Sequence, residues 1–142
     1  SKSLIMKKLI LFFSVALLII SCSKDDVRTR NPFLPDYAVN FQINMNLPSY
    51  TQLQYPGNTM IIYGYGINGI IVLNTGSGYI AYEATCSNHE ILGCSALTLN
   101  GVEAKCGCDE LVYNLYLGIA DAPYPLKPYR VVANGSMLTI YN

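Results

Sequence analysis

The chain is poor in the residues that most chemistry needs. It has one histidine, His89, and charged side chains make up only 13% of its residues. No glycine-rich phosphate loop opens a helix, and no pair of carboxylates stands out, so nucleotide-dependent and two-carboxylate hydrolytic chemistries have no motif here. No nucleophile–base–orienter set is present beyond a bare cysteine and histidine, which leaves acyl transfer without its machinery. No apolar run approaches the ~20 residues of a comfortable membrane span. Beyond the first 21 residues, no segment has an apolar 3.6-residue period long enough to require a helix. The chain is also short of positive charge: Lys2, Lys7 and Lys8 fall within those first residues, leaving six Lys and Arg against nine Asp and Glu, a net charge of −3. Such a balance argues against a nucleic-acid partner, which favours a basic face.

What is present begins with a targeting pattern. Met6-Lys7-Lys8 supplies a positive start, Met6 reading as the natural initiator, and Leu9 to Ile20 is apolar throughout except for Ser14. Ile19-Ile20-Ser21-Cys22 then resembles the bacterial lipobox, in which the cysteine is acylated and becomes the new N-terminus. Residues 1–21 are thus expected to be a signal peptide, Cys22 the lipidation site, and membrane attachment through several acyl chains effectively permanent. Ser23-Lys24-Asp25-Asp26 resembles the acidic export signal of Bacteroidetes lipoproteins. That resemblance implies the outer membrane, with the protein facing the periplasm or the surface. Residues 22–36, polar and carrying Pro32 and Pro35, read as a lipidated flexible tether, and 37–142 as one β domain.

From Ala38 the pattern becomes that of strands. Val39, Phe41, Ile43, Met45 and Leu47 alternate with Asn40, Gln42, Asn44 and Asn46, a period of two that puts one face in a core and the other in water. After a loop over 48–58, strands are expected at 60–63, 70–73, 79–84, 97–99, 102–105, 111–117, 129–132 and 137–141. Asn100-Gly101 and Asn134-Gly135 read as tight hairpin turns. The twelve tyrosines all lie beyond residue 36 and suit half-wet sheet faces. Short strands with glycine turns imply an all-β, antiparallel sandwich or small barrel.

With Cys22 assigned to lipid, the remaining reactive residues fall in one stretch: Cys86-Ser87-Asn88-His89, Cys94, and Cys106-Gly107-Cys108-Asp109. A hairpin at Asn100-Gly101 brings the two cysteine-rich loops side by side, gathering thiolates and an imidazole as iron–sulfur or zinc binding requires. Four cysteines in an oxidising compartment equally allow a disulfide framework, with three pairings open. Glu83 and Glu90 flank the first loop and read as solvated.

The two loops resemble the two boxes of the Rieske iron–sulfur proteins, Cys-x-His and, some fifteen to seventeen residues later, Cys-x-x-His. There one iron of a [2Fe–2S] cluster takes two thiolates and the other two imidazoles. The likeness extends over residues 69–141, including Gly118, Ala122-Pro123-Tyr124-Pro125-Leu126 and Tyr129-Arg130-Val131. It implies a Rieske-like fold with two cysteine-bearing loops, single-electron transfer to a redox protein partner, and metal ligands Cys86, His89 and Cys106. Asp109 stands where the second histidine belongs, and Cys94 and Cys108 stand as the bridging disulfide. Besides the missing histidine, three further departures are visible. Two residues rather than one separate Cys86 from His89, Gly107 replaces a proline, and no serine follows Asp109. The same resemblance allows a second state without cofactor, in which Cys86–Cys106 and Cys94–Cys108 are both disulfides and the domain is a stapled binding or structural module. Neither state is expected to make the chain a stand-alone enzyme, since the resemblance to Rieske oxygenases would imply a second, iron-bearing domain for which this sequence has no room.

Overall fold

The computed structural model describes residues 2–17 and 31–142, with side chains described for 2–10 and 31–142. These fall into two units divided between Arg30 and Asn31. The first contains helix α1 (Lys2–Leu17). Among the described residues no helix is long and apolar enough to cross a membrane. The end of the expected signal peptide, the lipidation residue Cys22 and the motif Ser23-Lys24-Asp25-Asp26 lie outside the described residues.

The second unit is antiparallel β throughout. Its strands are β1 (Asn40–Asn44), β2 (Thr59–Ile62), β3 (Ile70–Asn74), β4 (Tyr79–Glu83), β5 (Leu97–Asn100), β6 (Glu103–Cys106), β7 (Val112–Asn114), β8 (Pro128–Asn134) and β9 (Met137–Tyr141), with a 3-10 turn at Thr51–Gln54. One sheet has six strands in the order β1-β9-β8-β4-β3-β2 and the other three in the order β5-β6-β7. The all-β antiparallel architecture with two cysteine-bearing loops is therefore the fold of this unit.

Strand β3 explains how two cores coexist. Its run Ile70-Ile71-Val72-Leu73 is apolar at every position, as in a strand covered on both faces. Ile70 and Val72 point into a core with Phe41, Ile43, Leu53, Leu138 and Ile140. Ile71 and Leu73 point the other way, into a core with Leu97, Ala104, Tyr113, Leu115 and Leu126. β4 divides likewise, Ala81 to the first core and Tyr82 to the second. The second core contains Cys86 and Cys106, so the cysteine loops rest on one of the two buried faces.

Several boundaries differ from the sequence expectation for identifiable reasons. The strand expected over 111–117 is only Val112–Asn114. Asn114 Oδ1 accepts the backbone N–H of Tyr116 at 2.9 Å, and Gly118 adopts φ 72°, so the chain turns where the apolar pattern continues. The two hairpins form one residue later than read. Asn100 pairs with Glu103 and Asn134 with Met137, leaving Gly101-Val102 and Gly135-Ser136 as the two-residue loops. Gly101 and Gly135 take φ 61° and 59°, which glycine adopts without steric cost.

The compact unit begins at Asn31, inside the segment read as tether. Asn31 Nδ2 donates to the carbonyl of Ser87 at 2.7 Å, Leu34 is buried, and the Phe33 ring meets Tyr124 edge-on at 5.8 Å. Lys127 Nζ reaches the carbonyl of Pro35 at 2.8 Å and the Asp36 carboxylate.

Candidate metal centre

Strand register brings the cysteines together. Beyond β4 the chain stays paired with the approach to β5: Thr85 bridges Ala96, and Cys86 N donates to Ser95 O at 2.8 Å. β5 then pairs with β6, placing Leu97 opposite Cys106. The end of β4, β5 and β6 thus lie side by side, and residues 87–94 and 107–111 are adjacent loops at one end of this arrangement. The second loop is closed by Cys106 N donating to Leu111 O at 2.9 Å.

At that meeting point Cys86 is bonded to Cys106 and Cys94 to Cys108. The two pairs differ in environment. Cys86 and Cys106 are fully buried, whereas Cys94 is exposed and Cys108 half-buried. One ligand atom from each of Cys86, His89, Cys106 and Asp109 lies within 4.8 Å of every other. The sequence-derived ligand residues are therefore in one place, around a pair of sulfurs joined to each other.

His89 has a defined orientation. Its Nδ1 lies 2.7 Å from the carbonyl of Glu90, an acceptor only, so Nδ1 carries a proton. Nε2 then faces the Asp109 carboxylate at 3.5 Å and Cys106 Sγ at 3.4 Å. Asp109 is held by its other oxygen, which accepts the Leu111 N–H at 3.0 Å. Nε2, a carboxylate oxygen and a sulfur thus converge on one point, three atoms of the kinds that ligate metal ions.

The first loop is fixed by contacts that the sequence did not reveal. The Asn88 amide pairs with the backbone of Tyr124, accepting its N–H at 2.8 Å and donating to its carbonyl at 2.8 Å, and donates again to the Tyr113 hydroxyl at 2.8 Å. Ser87 Oγ lies 3.2 Å from the same Tyr124 carbonyl and 3.3 Å from the Tyr113 hydroxyl. Asn88 is one of the two residues separating Cys86 from His89, and the longer first box is the only sequence signal that pointed to it. The loop 121–127 thereby holds the first cysteine loop through the backbone of Tyr124.

Glu83 corrects the reading of it as solvated, for it is fully buried. Its carboxylate accepts from Ile67 N at 2.7 Å, Asn68 N at 3.0 Å, the Thr85 hydroxyl at 2.9 Å and the Tyr129 hydroxyl at 2.9 Å. Four donors around one carboxylate replace the water it loses. Burial first, and then the neighbouring Glu83 charge and hydrogen bond, push the Tyr129 hydroxyl well above the ordinary tyrosine range. Glu90 is exposed, as read.

No protein-family model matches the chain, and no curated protein matches it. Among solved structures, it is similar to a chain of the complex of reduced oxygenase and oxidized ferredoxin in carbazole 1,9a-dioxygenase, with 24% identity, 61% of this chain and 82% of that one covered, and a TM-score of 0.44. It is similar to the ferredoxin of carbazole 1,9a-dioxygenase from Nocardioides aromaticivorans IC177, with 20% identity, coverage of 74% and 97%, and a TM-score of 0.45. A third similar structure is the Sphingomonas yanoikuyae B1 ferredoxin, with 16% identity, coverage of 62% and 88%, and a TM-score of 0.43.

The donor set can be tested against a [2Fe–2S] cluster by its chemistry. Two thiolates, an imidazole nitrogen and a carboxylate oxygen are all donors that iron accepts. The sulfurs of Cys86 and Cys106 are free to ligate only as thiolates, so the set fits such a cluster in the dithiol form of the inner pair.

Proposed function

We propose that this protein is a Rieske-like, single-electron carrier whose inner cysteine pair, in its dithiol form, holds a [2Fe–2S] cluster through Cys86, Cys106, His89 and Asp109. The observation that carries this reading is the convergence of these four donors within 4.8 Å, with His89 Nε2 turned toward an anionic partner. A bound cluster supplies the one-electron chemistry. The chain supplies the rest. Glu90 holds the proton on His89 Nδ1 and leaves Nε2 for ligation, Leu111 orients Asp109, and Ser87, Asn88 and Tyr124 anchor the loop. The buried cysteines place the thiolate side of the site away from water. A carboxylate in place of a neutral imidazole adds negative charge, which disfavours gaining an electron. The potential is expected below the range of histidine-ligated Rieske centres, about −150 to +300 mV, and above or near plant-type ones at about −400 mV. Cys22 would carry the lipid anchor at the outer membrane, so that the redox protein partner is membrane-associated or comes to the membrane.

A second reading is favoured by a specific observation, the bond between two fully buried cysteines. In it the domain is a cofactor-free module stapled by both disulfides, and His89 Nε2 faces the Asp109 side chain beside the inner bond.

One preparation decides between them. The full chain is purified anaerobically, assayed for iron, acid-labile sulfide, zinc and free thiols, and then subjected to cluster reconstitution after mild reduction. Iron and sulfide in equal amounts, with a potential in the stated interval, support the electron carrier. A colourless protein that has no free thiols and takes up no iron on reconstitution sinks it and supports the module. Stoichiometric zinc assigns the same donors to a mononuclear site.

A further inference from the structure

The two disulfides are adjacent in the fold, yet only the outer one is open to a reagent. Cys94 is exposed and follows Gly93, whose surroundings leave open space where a side chain would lie. Cys108 is half-buried, and beside it stands Ser95, a buried residue whose hydroxyl has a one-sided set of partners. Ser95 Oγ accepts the backbone N–H of Leu92 at 2.7 Å, and it lies 3.8 Å from Cys108 Sγ. The N–H occupies a lone pair, so the hydroxyl proton is available to the sulfur, and accepting one hydrogen bond makes the O–H a better donor for the next.

We propose that Cys94–Cys108 is a directional thiol–disulfide exchange site for a small thiol or a dithiol protein, with Cys94 as the sulfur attacked and Cys108 as the leaving group. The thiolate of the incoming reductant attacks Cys94 Sγ and forms a mixed disulfide with it. The Cys94–Cys108 bond breaks, and its electron pair goes to Cys108 Sγ, where the Ser95 O–H donates to the developing thiolate. A second thiol of the reductant then attacks the reductant's sulfur in the mixed disulfide. That step releases oxidised reductant and expels Cys94 as a thiolate, and Cys94 and Cys108 end as thiols, the two electrons and the two protons having come from the two reductant thiols. Stabilising the leaving thiolate speeds exchange and fixes which sulfur departs. Cys86 and Cys106 take no part, because both are fully buried. The assignment concerns the outer pair alone and holds whether the inner pair is a disulfide or ligates a metal.

The test uses the intact chain with limiting glutathione, followed by acid quench, alkylation and peptide mass analysis. The glutathione adduct is expected on Cys94 and the alkyl label on Cys108, with Cys86 and Cys106 unmodified until denaturant is added. Ser95→Ala is expected to slow exchange roughly tenfold and to spread the adduct over both sulfurs. Ser95→Thr, which keeps the hydroxyl, is expected to retain the preference for Cys94. A purely structural role for Ser95 would leave the position of the adduct unchanged. An adduct on Cys108 in the wild-type chain, release of all four thiols together, or exchange only after denaturation overturns the proposal. The wild-type result is sufficient to decide it if either variant fails to fold.

Discussion

Glu83 places an acidic group at the end of β4 where no water reaches it, and its four hydrogen-bond partners are all donors. Glu83→Gln would turn an amide NH2 toward some of those donors, so a loss of about 1–3 kcal/mol is expected, read as a lowered urea midpoint. The Tyr129 hydroxyl, held protonated by burial and by Glu83, gives a pH dependence of definite sign. Above the ordinary tyrosine value of about 10 the unfolded chain has lost this proton while the native chain keeps it. Stability from this group is therefore complete below about pH 10 and falls as the pH rises further. Tyr129→Phe is expected to lower stability at pH 8 and to flatten the decline above pH 10, measured by urea unfolding at each pH. Asn88 acts at the same scale: Asn88→Ala removes three hydrogen bonds of 2.8 Å between the first loop and Tyr113 and Tyr124. A destabilisation of about 1–3 kcal/mol is expected by thermal or chemical unfolding.

At the level of elements, the approach of the two cysteine loops depends on a position without a side chain. A Cβ on Gly107 would lie 2.8 Å from the backbone oxygen of Cys94. That atom belongs to the neighbouring loop's backbone and cannot swing away as a side-chain tip does. Gly107→Ala is expected to cost about 1–3 kcal/mol and to raise the fraction of Cys94 and Cys108 found as free thiols after oxidative refolding. The strands show what was legible at this scale. The alternation from Val39 to Leu47 located β1, and the uniform run Ile70–Leu73 marked a strand without showing that it serves two cores. The strand expected over 111–117 ends at Asn114 although its apolar residues continue, because a side-chain hydrogen bond and Gly118 turn the backbone there. Turn chemistry overrides apolar pattern there, and nothing in the pattern itself warns of it.

At the scale of the β unit, Cys86–Cys106 ties the end of β6 to the segment that follows β4, and Cys94–Cys108 joins the loop entering β5 to the loop leaving β6. They close chain intervals of 20 and 14 residues. Replacing both Cys94 and Cys108 with alanine is expected to lower stability by about 3 kcal/mol, by the chain-entropy estimate for a loop near 15 residues. Comparison of urea midpoints, with the inner pair kept oxidised, checks it. By itself the sequence determined the β class, most strand positions and the clustering of Cys86, His89, Cys94, Cys106, Cys108 and Asp109 around a hairpin. Those features follow from a side-chain period of two and from short-range turn preference, both properties of neighbouring residues. Only the tertiary structure decided which cysteine pair is sheltered and which exposed, that Glu83 is enclosed, and that Asn88 is held by Tyr113 and Tyr124. Each of these depends on partners 14 to 46 residues away, brought close by sheet pairing, and burial is set by what such distant segments cover.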